Sequence, residues 1–388
     1  MKRLLLCTAF GAAVLAPTLL APTPARADIT VGFVTSLSGP ASSIGILYGN
    51  GIKAAVAYRD EVSGEKIRLI QLDDGSDPSA ATRNARKLIE ENKVDILIGT
   101  SSAPSTIAMT AVATELKVPM IAISPVTISA AENGERWAIC TPQPPPLMIK
   151  AVTDRMARNG TKTIGYIGFS DAWGDLVHNG AKAAQDKGQI TITTDQRYTR
   201  TDTSVTGQIL KVLATRPEGV LDGGSATQGA LPLLALQERG YKGKIYGNPA
   251  LVNADFIRVG GKAAEGIELP TGPVIVAEQL PEDHYAKAIS LAFKDAYAKA
   301  NGVPSTDSFS AYAFDAWLIM SDAAKRAMVN AKPGTPEFRT ALKDAIFSTK
   351  ELPGTEGVYN FTQASSYGSD ERALVMVRLQ NGSWTYSP

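Results

Sequence analysis

The sequence predicts an α/β protein built as two similar lobes, each around a parallel sheet. Three observations predict it. From Ile29 onward, short β-branched runs alternate with amphipathic stretches, the pattern of βαβ units. The alternation breaks at Thr141-Pro142-Gln143-Pro144-Pro145-Pro146. A second series of similar order and length follows, and 388 residues suffice for two such lobes.

In the first series strands are expected at 29–35, 67–72, 96–98 and 119–123. Between them, Tyr48, Ile52, Ala55, Val56 and Val62 share one helical face. A helix is expected over 78–91, with Asp77 as N-cap and Pro78 at the first position. A third follows Pro104 and ends near Glu115. The prolines at 141–146 exclude helix and predict an extended crossing. In the second series helices are expected at 148–158, 173–187, 203–214, 230–239 and 254–260, with strands at 163–168, 190–194, 220–222 and 245–247. Long helices return at 282–300 and 309–329, and strand patterns at 358–361 and 373–379 close the chain. No residue-level repeat relates the two series.

Composition excludes several classes. With 39 Lys+Arg against 38 Asp+Glu and 20% charged residues, the chain has neither the balance of a disordered protein nor the basic face of a nucleic-acid binder. Two cysteines and two histidines make zinc and iron–sulfur sites improbable. Residues 1–27 read as a secretory signal: Lys2 and Arg3, an apolar run from Leu4 to Ala16, then Ala25-Arg26-Ala27. The run is too short to span a bilayer. Cleavage removes Cys7 and leaves Cys140 alone, so no internal disulfide is expected.

Catalytic and nucleotide motifs fail on specific residues. The strand from Ile29 is followed by Leu37-Ser38-Gly39-Pro40, without the glycine fingerprint of a pyrophosphate loop. The P-loop spacing from Gly224 to Gly229 has Ala230 in place of lysine. Gly168-Phe169-Ser170-Asp171-Ala172 has the place of a nucleophile elbow but lacks the final glycine, and Ser170 and Asp171 suit helix capping. Ser321 and Lys325 stand one residue too far apart for a Ser-x-x-Lys pattern and lack its companions, and Asp73-Asp74-Gly75-Ser76-Asp77 reads as a turn and cap rather than a calcium loop. The most informative segment runs from Ile98 to Thr106. A strand ends, hydroxyls crowd the loop and Pro104 opens a helix, which makes an anion site without a cation. A second polar loop, Ser124-Pro125-Val126-Thr127, follows the neighbouring strand, so both point to one cleft beyond the strand ends.

Taken in order, Ile29-Thr-Val-Gly-Phe with Ser38-Gly39-Pro40, Gly49-Asn50-Gly51, Asp73-Asp74 with Asp77-Pro78, Ile98-Gly99 with Ser105-Thr106, and Ile123-Ser124-Pro125 resemble the leucine/isoleucine/valine-binding proteins of ABC importers. The likeness continues through Trp173-Gly174, Gly223-Gly224, Ala263-Ala264-Glu265-Gly266 and Ala311-Tyr312. The resemblance implies a type I periplasmic binding fold, two Rossmann-like lobes joined by three crossings near 142–148, 270–276 and 353–357. Lobe 1 is then 28–145 plus 275–354, and lobe 2 is 146–274 plus 355–388.

Departures from the family pattern suggest the ligand. Where the family has a serine holding the ligand's backbone groups, this chain has Ala103, with Ser101 and Ser102 adjacent. A threonine of the second loop becomes Ile128, leaving Thr127 and Val126 beside it. The family's glutamate for the ligand ammonium aligns with Pro249, next to Asn248. An ammonium buried without a carboxylate costs several kcal/mol, so an α-amino acid fits poorly unless Asp171 or Asp222 swings in. A tyrosine becomes Trp173, and bulky residues become Ser225 and Ala226. Ile44, Tyr48 and Tyr312 complete the expected wall. The resemblance implies a non-catalytic, cofactor-free, monomeric periplasmic protein that delivers a small carboxylate to an inner-membrane ABC permease. An aromatic acid or 2-oxo acid is expected ahead of an amino acid. A branched-chain or aromatic amino-acid binder, a ligand sensor of the same fold and a serine hydrolase built on Ser170 are the alternatives.

Overall fold

The computed structural model describes residues 28–387; the signal-peptide reading of 1–27 lies outside the described residues. The first sheet is entered by β1 (Ile29–Thr35), whose seven residues are all buried, as a central strand requires. There follow α1 (Ser42–Tyr58), β2 (Glu61–Val62), β3 (Glu65–Asp73), α2 (Pro78–Glu90), β4 (Ile96–Gly99), α3 (Ala103–Glu115), β5 (Met120–Ala122) and β6 (Ala138–Cys140). Val62, expected on the first helix, lies in β2 instead, because α1 ends at Tyr58 and the chain turns through Asp60. Asp77 caps α2 by accepting from Ser79 N–H.

The second sheet belongs to α4 (Pro145–Arg158), β7 (Thr163–Phe169), α5 (Ala172–Asp186), β8 (Thr191–Tyr198), α6 (Thr206–Ala214), β9 (Gly219–Gly223), α7 (Ala230–Glu238), β10 (Lys244–Tyr246), α8 (Ala254–Gly260) and β11 (Glu268–Thr271). Pro145 and Pro146 open α4 rather than excluding it. The first helical turn has no use for their missing N–H groups. The chain then returns to the first lobe with α9 (Lys287–Asn301), α10 (Phe309–Ala327) and α11 (Pro336–Phe347). Last come β12 (Leu352–Pro353), β13 (Val358–Tyr359), β14 (Val375–Gln380) and β15 (Ser383–Tyr386). β6, β11, α11 and β15 went unread in the sequence, being short or, for α11, set behind a Pro-Gly turn.

Strand order is β2-β3-β1-β4-β5-β6 in one sheet and β15-β14-β11-β10-β9-β7-β8 in the other. The central pairs are parallel, and β2, β14 and β15 add antiparallel edges. The cores β3-β1-β4-β5 and β8-β7-β9-β10 share one topology, a repeat that no pair of sequence segments reveals. It reappears in two glycines. A Cβ at Gly45 of α1 would lie 1.9 Å from Ser36 O, and one at Gly174 of α5 would lie 1.9 Å from Phe169 O. In both lobes the helix following the first strand crosses that close to the chain just leaving the strand.

α10 is buried nearly all round, between α1 and α11, which explains its apolar residues on every face. The chain passes between the lobes three times, and Gln143, Thr271 and Glu356 stand side by side there. Gln143 Nε2 donates to Glu356 O at 2.9 Å and to Ala373 O at 3.0 Å, and Thr271 Oγ1 lies 3.0 Å from Ser308 Oγ. Beyond Glu356, Tyr359 and Phe361 stack at 5.8 Å and bury in the first-lobe core, and Tyr367 bridges to Cys140. Residues 358–367 therefore pack with the first lobe before the chain reaches β14, past the boundary expected at 354.

Candidate functional site

Loops at the carboxyl ends of both sheets line one narrow, partly open cleft with a cavity of about 30 Å³ between the lobes. The first lobe lines it with Ile44, Tyr48, Ser101, Ser102, Ser124, Pro125, Phe309 and Tyr312. Met148, Trp173, Arg200, Ser225, Pro249 and Ala250 line it from the second.

The two serines after β4 have different duties. Ser101 Oγ accepts from Ser36 N–H at 2.8 Å and lies 2.9 Å from Thr35 Oγ1. Because the Thr35 hydroxyl donates to Gly45 O, the Ser101 proton goes to Thr35, and Ser101 ties β1 to β4. Ser102 caps α3 by accepting from Ser105 N–H. Ser124, beyond β5, is bonded to no described residue, so its hydroxyl remains for a ligand. Tyr48 and Phe309 meet edge-to-face at 5.6 Å, and the Tyr48 hydroxyl donates to Ile123 O.

In the second lobe Trp173 opens α5, and its Nε1 donates to Gly224 O at 3.1 Å, fixing the indole against the loop after β9. Arg200 stands two residues beyond β8. Nε donates to Asp171 Oδ2 at 2.6 Å, Nη1 to Ser225 Oγ at 3.1 Å, and the guanidinium lies 4.2 Å over the Phe169 ring. No motif pointed to this cation. The second strand of that lobe was expected to end at 194, and only its continuation to Tyr198 brings Arg200 to a cleft-facing loop.

Several expected residues stand elsewhere. Ala103 is the first residue of α3 and packs into the core, because the cap falls at Ser102. Val126 is also core, its carbonyl accepting from the Tyr367 hydroxyl at 3.0 Å, and Thr127 consequently points to solvent. Ala226 is buried at φ 49° at the start of a short 3-10 turn, where a side chain larger than methyl would be strained. Asn248 is fully buried. It donates to Asp222 O at 2.9 Å and Gly224 O at 3.0 Å and accepts from Ala250 N–H, so it shapes the wall without lining it. Met148, Arg200, Ala250 and Phe309 line the cavity without having been among the expected residues, and Ser124 and Pro125 line it as part of the expected second polar loop.

Among the described residues that line the cavity, none is acidic. Asp171 Oδ1 accepts from Trp173 N–H and Gly174 N–H while Oδ2 holds Arg200. Asp222 lies fully buried behind the wall, accepting from Gly224 N–H, and burial pushes its carboxyl up to about 8, so it is largely neutral at pH 7. Ser170 donates its hydroxyl to Tyr198 O at 3.2 Å, and His178 points instead toward Asp195 at 3.5 Å.

The profile of the periplasmic binding protein family matches residues 28–382. The chain belongs to that family. Among curated relatives, a Leu/Ile/Val-binding protein homolog of Brucella melitensis is 24% identical over 89% of this chain and 90% of its own. Among solved structures, an extracellular ligand-binding receptor from Rhodopseudomonas palustris superposes with a TM-score of 0.89 at 39% identity, covering 93% of this chain and 99% of that one. An ABC-transporter solute-binding protein from R. palustris, in complex with benzoate, superposes at 0.75 with 20% identity, covering 92% and 95% of the two chains. These likenesses establish a periplasmic binding protein of the type I fold.

Proposed function

We propose that this periplasmic binding protein captures a small carboxylate without an ammonium group, an aromatic acid or 2-oxo acid, and hands it to an inner-membrane ABC permease. One observation carries the reading. The family resemblance puts Pro249, which lines the cavity, where the ammonium's glutamate would stand, and the remaining acids near the cleft are spent or buried: Asp171 on Arg200 and the α5 cap, Asp222 behind the wall. An α-amino acid would bury its ammonium unpaired, whereas a carboxylate finds Ser124 and Ser225 hydroxyls. Trp173, Phe309, Ile44 and Met148 supply apolar and aromatic surface for its body.

The mechanism follows from the cavity's two-sided lining. A ligand meets both lobes only when they close, so its differential affinity shifts the population toward the closed form. The permease would read that shape. The reading takes 28–145 with 275–354 as one lobe and 146–274 with 355–388 as the other, with 358–367 packed against the first. The protein acts as a monomer, with a cleaved signal at 1–27 and with no catalysis.

The test is a thermal-shift screen of residues 28–388 against leucine, phenylalanine, benzoate, phenylpyruvate and benzoylformate. Ligand at 100 times Kd adds about 2.7 kcal/mol, a shift of several degrees. Shifts with the acids and none with the amino acids are expected. A shift with leucine or phenylalanine alone refutes the reading.

A further inference from the structure

Among the residues that line the cavity, Arg200 carries the one full positive charge, and its surroundings hold it in a single orientation. Three contacts fix the plane of the guanidinium: the Phe169 ring beneath it at 4.2 Å, Asp171 on Nε at 2.6 Å and Ser225 on Nη1 at 3.1 Å. Nη2 is bonded to no described residue. A fork fixed at one end and open at the other is built to receive a planar, two-oxygen acceptor. Arg200 and its supports come from three neighbouring strand ends of the second lobe. Phe169 ends β7 and Asp171 follows it, Arg200 follows β8 and Ser225 follows β9, so the orientation is set by the sheet rather than by a flexible stem.

We infer that Arg200 is the residue that reads the ligand's charge, binding its carboxylate from the second lobe while the Ser124 hydroxyl meets it from the first. Asp171 is its positioning residue. The carboxylate of Asp171 touches no ligand; its second oxygen is committed to the backbone of α5, which anchors the pair to the helix start. Ser225 accepts from Arg200, so its own proton is directed elsewhere and serves as a further donor to the same anion. The ligand thereby bridges the lobes through one charged group, and selection between an acid and its neutral isostere falls to Arg200. This inference rests on the carboxylate reading above, and adds to it the residue and the charge state.

The experiment is isothermal titration of benzoate, phenylpyruvate and benzoylformate, each paired with its primary amide, and of leucine and phenylalanine, into wild type, Arg200→Met and Arg200→Lys. Circular dichroism and a cooperative urea transition check folding of each variant. Wild type should bind the tightest of the acids at least thirty times better than its amide. Arg200→Met should lose that preference by weakening the acid at least thirtyfold and the amide less than threefold. Arg200→Lys should recover part of the preference, since it keeps the charge and loses the fork. If Arg200→Met holds the acid within threefold of wild type, the inference is wrong and the carboxylate reading stands. If wild type binds leucine or phenylalanine and none of the acids, both fall together.

Discussion

The Tyr312 hydroxyl donates to Gln143 Oε1 at 2.6 Å, joining the wall of the cleft to the first crossing between the lobes. The orientation of the Gln143 amide is forced, because its nitrogen serves the carbonyls of Glu356 and Ala373. One buried side chain thus ties the ligand wall, the third crossing and the approach to β14. Gln143→Leu keeps the volume but orphans two carbonyls and the phenol. It should cost roughly 2–4 kcal/mol of stability. Urea unfolding at constant pH measures it, and a loss below 1 kcal/mol, well outside that expectation, would show the network to be dispensable.

Glu356 stands at the same junction. It is fully buried, with Gln143 Nε2 3.2 Å from Oε2, and burial followed by the neighbouring Asp315 carboxyl holds its pKa well above the usual carboxylate range. Asp307, Tyr48, Tyr285, Tyr312 and Tyr359 also face this cluster, and burial pushes Asp307 and Asp315 up to about 6. An acid with a raised folded pKa binds more protons folded than unfolded, so its contribution is complete below about pH 4.3 and is lost as pH rises toward the folded pKa. Wild-type stability should fall on going from pH 5 to 9. Glu356→Gln should flatten that decline; curves that stay parallel to wild type across the range would contradict the assignment.

Asp222 gives a narrower window. With its carboxyl pushed up to about 8 by burial, its stabilising contribution is lost between about pH 4 and pH 8. Asp222→Asn preserves the oxygen that accepts from Gly224 N–H. The variant should match wild type near pH 5 and exceed it at pH 9, by denaturant midpoints taken at the two values. Equal deficits at both would mean that the carboxyl's shape matters and its proton does not.

Gly45→Ala tests the close crossing of α1 over the chain leaving β1. The new methyl would meet Ser36 O at 1.9 Å, and backbone on both sides must move. A loss of about 2–4 kcal/mol is expected, against a gain of several tenths for the same change at an open helical site such as Gly207. Calorimetric midpoints of the two single variants decide it.

The sequence alone carried the fold a long way. β-branched runs separated by amphipathic stretches, Asp77 and Pro78 at a helix start, and the proline break after Thr141 are local signals, legible because a strand or cap is chosen mostly by its own residues. Ser102, Trp173 and Tyr312 were placed on the cleft for the same reason: each sits at a strand end or a helix start. What tertiary structure decided was which neighbour in each loop faces inward. Ser101 was drawn into a tie between strands, Asn248 into a backbone clasp and Val126 into the core, while Thr127 was turned to solvent. Arg200 became a cleft residue only because β8 runs four residues longer than its pattern suggested and Phe169 and Asp171 at the end of β7 converge with Ser225 beyond β9 to hold it. Periodicity reports the burial of a single element. The meeting of side chains from three loops depends on how sheets pair and close, and no single stretch of sequence encodes that.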